Sequence, residues 1–98
     1  MSRPFLTHDH GTIEVYRCYK DPDSPDNRMP SEWWFSTSPI DIDYDYPGSS
    51  QFDVRDLDPD GDSYMWKTYG GVAVQVPSTD AALRRVIHRA IREGRLGI

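Results

Sequence analysis

The stretch 64-YMWKTYGGVAVQV-76 decides the fold. Two runs rich in aromatic and β-branched residues, Tyr64–Tyr69 and Val72–Val76, flank Gly70-Gly71, and a tight two-residue turn needs positive φ at both central positions. The stretch therefore predicts an antiparallel hairpin. With a two-residue loop, Met65, Lys67 and Tyr69 share a face with Val76, Val74 and Val72, which sets the Lys67 charge opposite a valine expected in the core. Either the lysine stem snorkels or the loop is longer. Immediately downstream, Ser78 or Thr79 can cap a helix, Asp80 suits its positive end, and Arg92 and Arg95 suit its negative end. Ala82, Leu83, Val86, Ile87, Ala90 and Ile91 recur at helical spacing and Gly94 is placed to stop the run, so a helix is predicted over 78–94.

Upstream of the hairpin the strand signals are shorter. Thr12 to Tyr19 alternates β-branched and polar residues and reads as a strand. Residues 20–30, with three prolines and no apolar period, read as an exposed acidic loop. Ser31 to Ser38 reads as a second strand, with Trp33 and Trp34 on opposite faces, so one of the two rings is a candidate contact residue. In 39–50, Ile40, Ile42, Tyr44 and Tyr46 alternate with Asp41, Asp43 and Asp45, which puts the carboxylates on one side if the segment is extended. Gln51 to Leu57 reads as a further strand with Phe52 and Val54 inward and Asp53 and Arg55 outward. Residues 1–11 read as a lead-in segment, and its His8-Asp9-His10 offers two ligands where zinc normally takes at least three.

These elements predict an α+β fold, an antiparallel sheet of four to five strands with one C-terminal helix packed on one face. Ninety-eight residues suffice for one hydrophobic core and not two, so residues 1–98 are expected to form a single domain. The hydrophobic share of 37% is low and the aromatic share of 12% high, so large rings are expected to do much of the core's packing.

Charge is the strongest functional signal. Between 41 and 62 lie Asp41, Asp43, Asp45, Asp53, Asp56, Asp58, Asp60 and Asp62 against one base, Arg55. Unpaired carboxylates are too costly to bury, so this stretch must face water, a cation or a basic partner. Residues 56–63 are accordingly expected as an exposed acidic loop. Its Asp56, Asp58, Asp60, Gly61 and Asp62 match the first half of a calcium loop, but Lys67 stands where a bidentate glutamate belongs and the flanks are strand-like. A divalent-cation module on Asp56, Asp58, Asp60 and Asp62 is thus the alternative reading, and no cofactor is called for.

The leading reading is a small, acidic, non-enzymatic interaction protein. Its partner is expected to be a basic protein surface of the kind built to hold nucleic acid, bound as an inhibitor or adaptor. Asp41, Asp43, Asp45, Asp53, Asp56, Asp58, Asp60 and Asp62 would supply the charge, and Tyr44, Tyr46 and Trp34 the aromatic anchors. The row of aspartates, about 7 Å apart along an extended strand, approximates phosphate spacing. In size and charge the chain resembles the small phage-encoded inhibitors, anti-CRISPR proteins among them, that occupy nucleic-acid-binding sites, and the resemblance implies mimicry of nucleic acid. A net charge of −5 argues against direct binding to nucleic acid or an anionic membrane. Three histidines and one cysteine form no catalytic spacing, so no enzyme is expected. The lone Cys18 excludes an internal disulfide, and with neither a leader nor a membrane-length run the expected location is cytoplasmic. Arg84, Arg85, Arg89 and Arg92 on the helix could pair with the acidic stretch of a second copy, giving a homodimer.

Overall fold

A computed structural model describes residues 3–19, 30–39 and 51–98. The fold is α+β as the sequence predicts. Among these residues there are a four-stranded antiparallel sheet, a separate two-stranded sheet and one C-terminal helix. They fall into two compact units, Met1–Asp53 and Val54–Ile98.

The first unit holds β1 (Leu6–His8), β2 (Ile13–Tyr19), β3 (Pro30–Ser36) and β4 (Gln51–Asp53), in that spatial order. β1 is the first departure from expectation, because residues 1–11 read as a lead-in and instead pair as Leu6↔Val15, Thr7↔Glu14 and His8↔Ile13. The reason is turn chemistry. Asp9 and His10 adopt left-handed φ of 53° and 58°, followed by Gly11 at 87°. Asp and His are among the few side chains enriched there. Thr12 closes the turn, its hydroxyl donating to the Asp9 carbonyl at 2.8 Å and its N–H to the same oxygen at 3.2 Å. His10 therefore sits in a turn, so the two histidines do not share a strand face.

The core of this unit is aromatic, in line with composition. Phe35 is fully buried and directly opposite Phe52 in the register, with ring centroids 6.1 Å apart, and the Phe5 ring packs against it at 4.8 Å. The Arg17 guanidinium lies over both Phe5 and Phe35, at 4.7 and 5.5 Å from their centroids. Such a stack places a cation on the negative face of each ring while leaving its edge for hydrogen bonds. Leu6, Val15, Tyr16, Cys18 and Trp33 are the other buried hydrophobic residues described in this unit.

The second unit begins where the predicted strand over 51–57 breaks. Only Gln51–Asp53 is extended, and Val54–Leu57 turns into a 3₁₀ helix that buries Val54 and Leu57. The expected alternation fails with it, since Asp53 is buried and Phe52 only half-buried. β5 (Tyr64–Tyr69) and β6 (Val72–Pro77) then form the hairpin in unbroken register from Tyr64↔Pro77 to Tyr69↔Val72. Gly70 and Gly71, with φ of 56° and 85°, make the two-residue turn. Contrary to the single sheet expected, the hairpin is a sheet of its own.

Helix α1 (Asp80–Arg92) has Thr79 as its N-cap, whose hydroxyl accepts from the Ala82 N–H at 3.0 Å. Its C-terminus is a Schellman motif. The Arg95 N–H donates to the Ala90 carbonyl at 2.9 Å and the Gly94 N–H to Ile91 at 3.2 Å, with Gly94 at φ 73°. The buried residues Ala82, Leu83, Val86, Ile87, Ala90 and Ile91 are those of the predicted stripe.

Candidate functional site

The acidic stretch divides into parts with different fates. Asp41, Asp43, Asp45, Tyr44 and Tyr46 lie outside the described residues. Asp56 is exposed on the 3₁₀ turn, and Asp53 is buried in β4. Asp58, expected in solvent, is only 7% exposed. One oxygen is well satisfied: Oδ2 accepts from the Ser63 N–H at 2.5 Å and from the Ser63 hydroxyl at 2.6 Å, and Ser63 is itself fully buried, whereas the buried Oδ1 makes no hydrogen bond among the described residues. Burial alone pushes the Asp58 carboxyl up, but hydrogen bonds from the Ser63 hydroxyl and N–H and from the backbone of Asp62 and Gly61 outweigh it and hold the group below its usual value.

The cation for this cluster comes from the chain itself. Arg89 projects from α1, its Nη1 lying 3.1 Å from Asp60 Oδ2 and 3.8 Å from Asp62 Oδ2, and its Nη2 lying 3.7 Å from Asp58 Oδ1. Asp60 and Asp62 remain exposed, so their pairing is largely screened. Nearby, Arg95 donates through Nη1 to the Leu57 carbonyl at 2.8 Å and pairs with Glu93. The arginine face read as a surface for a second copy is therefore split: Arg89 joins Arg95, from beyond the helix, in holding residues 57–62 against the helix end, while Arg84, Arg85 and Arg92 are exposed.

This arrangement bears on the cation-module alternative. Arg89 supplies the positive charge that an ion among Asp58, Asp60 and Asp62 would supply, and Asp58 Oδ2 is directed to Ser63. Among the described residues, no group of three or more His, Cys, Asp or Glu is placed to hold a metal. Cys18 is buried, and burial pushes its thiol up to about 11, away from thiolate character at neutral pH.

Among the described residues, exposed aromatic surface occurs in two places. On β3 the adjacent tryptophans divide cleanly, Trp33 buried and Trp34 42% exposed. Strand alternation puts exposed Glu32 on the Trp34 face, and register puts Asp53 directly opposite Trp34. The second place is the hairpin, whose valines were expected in the core. Trp66 is 63% exposed, Tyr69 59% and Val72 61%, and Met65 and Val74 are also exposed. One clue was present in the sequence: Lys67 opposite Val74 is awkward only if Val74 is in the core, and it is not.

No family model, curated protein or solved structure matches this chain. Among the described residues no helix is long and apolar enough to cross a membrane.

Proposed function

We propose that this is a non-enzymatic interaction protein that binds a basic protein surface, of the kind that handles nucleic acid, and acts there as an inhibitor or adaptor. The observation that carries the reading is Trp34, an exposed ring on a strand face that also carries Glu32. Buried at an interface, an aromatic anchor of this size dominates binding energy, and flanking carboxylates steer a cationic partner toward it. Charge distribution supports the same unit. Residues 54–98 hold Arg55, Lys67, Arg84, Arg85, Arg89, Arg92 and Arg95 against Asp56, Asp58, Asp60, Asp62, Asp80 and Glu93, so the acidic excess belongs to residues 1–53, with Asp41, Asp43 and Asp45. Of the candidate carboxylates, these three are the ones we expect to face the partner.

The test is capture from a cytoplasmic lysate with wild type, Trp34→Ala, and a variant carrying Asp41→Asn, Asp43→Asn and Asp45→Asn, each eluted with a salt gradient. A nucleic-acid-handling protein held by wild type, lost from both variants and released as ionic strength rises is the expected result. Retention of the same partner by both variants overturns it.

A further inference from the structure

Edge strands in natural proteins are guarded by charge, bulges, proline or a covering element, because an open row of N–H and C=O groups templates pairing with another chain. β6 carries little of this protection. Val72 to Val76 contains no charged residue, its register with β5 is free of bulges, and Pro77 comes only at its end. Among the described residues β6 pairs with β5 alone.

We propose that β6 is the interface of a homodimer, pairing antiparallel with β6 of a second copy to form a continuous four-stranded sheet. The register follows from the hairpin. Beside a two-residue turn, Tyr69 and Val72 are a hydrogen-bonded pair, and so, alternately, are Lys67 with Val74 and Met65 with Val76. The N–H and C=O groups of Ala73 and Gln75 therefore point outward. A two-fold axis at Val74 sets Ala73 against Gln75 of the second copy and Gln75 against its Ala73, and every outward group on the central part of β6 is matched. Pro77, which has no N–H, falls at the end of the ladder, where its own carbonyl is all it has to offer. The same axis stacks Val74 on its own symmetry mate and Val72 on Val76, so that six valines form one face, flanked by Met65 and Tyr69 of each copy.

Charge favours this edge and this occupant. Lys67 is the ribbon's only charged residue and lies on β5, so its two copies are three strand spacings apart, about 14 Å, beyond the screening length of about 8 Å at physiological salt. No like charges meet across the new strand pair. The pairing is also closed: a two-fold contact uses the same edge of both copies and does not propagate into a fibre through β6.

The experiment is sedimentation velocity on the full chain across a concentration series, at low and high salt. The variants are Gln75→Pro and Val74→Lys, with Thr68→Lys on the opposite strand as a control, and far-UV circular dichroism monitors their fold. Gln75→Pro removes an outward N–H in each copy while leaving the hairpin's own bonds intact, since Gln75 and Trp66 are a non-hydrogen-bonded pair. Losing two hydrogen bonds weakens the dimer by about thirtyfold. Val74→Lys sets like charges directly opposite across the axis and should dissociate it as well; because it also faces Lys67 in its own hairpin, Gln75→Pro is the variant that separates dimer loss from hairpin loss. Expected is a wild-type dimer insensitive to salt, monomeric Gln75→Pro with unchanged circular dichroism, monomeric Val74→Lys, and a dimeric Thr68→Lys. A wild type that stays monomeric to millimolar concentration overturns the proposal. So does a dimer that survives both β6 variants, or one that salt disperses, which would assign association to the charged surfaces. None of these outcomes depends on capture through Trp34 and the aspartates of the first unit.

Discussion

Asp58→Ala should be among the most damaging single changes in the second unit. The substitution removes the acceptor of two hydrogen bonds, at 2.5 and 2.6 Å, and leaves the fully buried Ser63 N–H and hydroxyl without it. Hydrogen bonds to a charged group contribute about 1.5–3 kcal/mol each, and two donors sharing one oxygen are not additive, so a total loss of about 3 kcal/mol is expected. Arg89 adds little, because it keeps Asp60 at 3.1 Å. Asp58→Asn retains a carbonyl oxygen for both donors but loses the charge and sets an NH2 group beside Arg89, so its cost should be about 1–2 kcal/mol, below that of Asp58→Ala. Urea unfolding followed at 222 nm, at pH 7, orders the three proteins.

The same carboxyl sets an acid dependence whose direction is fixed. Its folded pKa is depressed, so its contribution is fully present above the unfolded value of about 3.9 and is lost as pH falls below that through the folded value. Wild type should lose stability relative to Asp58→Asn over that range. If Asp58→Ala unfolds within about 0.5 kcal/mol of wild type, the surface-substitution range, the buried hydrogen-bonded role assigned to Asp58 is wrong.

Two further outcomes follow from the backbone and from the thiol. Gly70→Ala and Gly71→Ala should each cost about 1 kcal/mol in thermal melts, because an added Cβ meets nothing within 4 Å and the only penalty is positive φ; Gly70→Asn should be near neutral. Cys18 should resist a thiol reagent at pH 8 in the native protein and react at once in guanidinium. With its folded value raised to about 11, the unfolded chain gives up the proton first, so its contribution is intact below the unfolded value of about 8.5 and falls away as pH rises toward 11.

Elements with strong local chemistry were legible from the residues alone. The paired glycines fixed the turn of β5 and β6, and the Thr79 cap, the apolar stripe and Gly94 fixed α1. Strand alternation put the two tryptophans on opposite faces but held no information on which face is covered. β1 escaped because three residues with one apolar side chain have no measurable period; its signal was the left-handed turn Asp9-His10-Gly11. Val54–Leu57 is four residues long, too short to separate a strand from a 3₁₀ turn by pattern. At the acidic stretch, counting charges cannot distinguish a carboxylate held inside the fold from one left outside. Asp58 differs from its neighbours through Ser63, five residues on, and through Arg89, thirty-one residues on, and only three-dimensional structure brings those together. The valines of β6 were assigned to a core because β-branched residues favour strands, although that preference says nothing about burial.

The two arginines at the end of α1 also decide what opens together. Arg89 grips the Asp58–Asp62 turn and Arg95 the Leu57 carbonyl, while Asp58 in turn accepts the Ser63 amide at the root of the hairpin. The last turns of the helix and residues 57–63 therefore form one cooperative foldon, and native-state hydrogen exchange should give the Ser63 and Ala90 amides a common opening free energy. The hairpin tip at Gly70-Gly71, tied to none of these contacts, should exchange far sooner. Local opening in this unit begins at the hairpin tip and ends at the arginine-held turn.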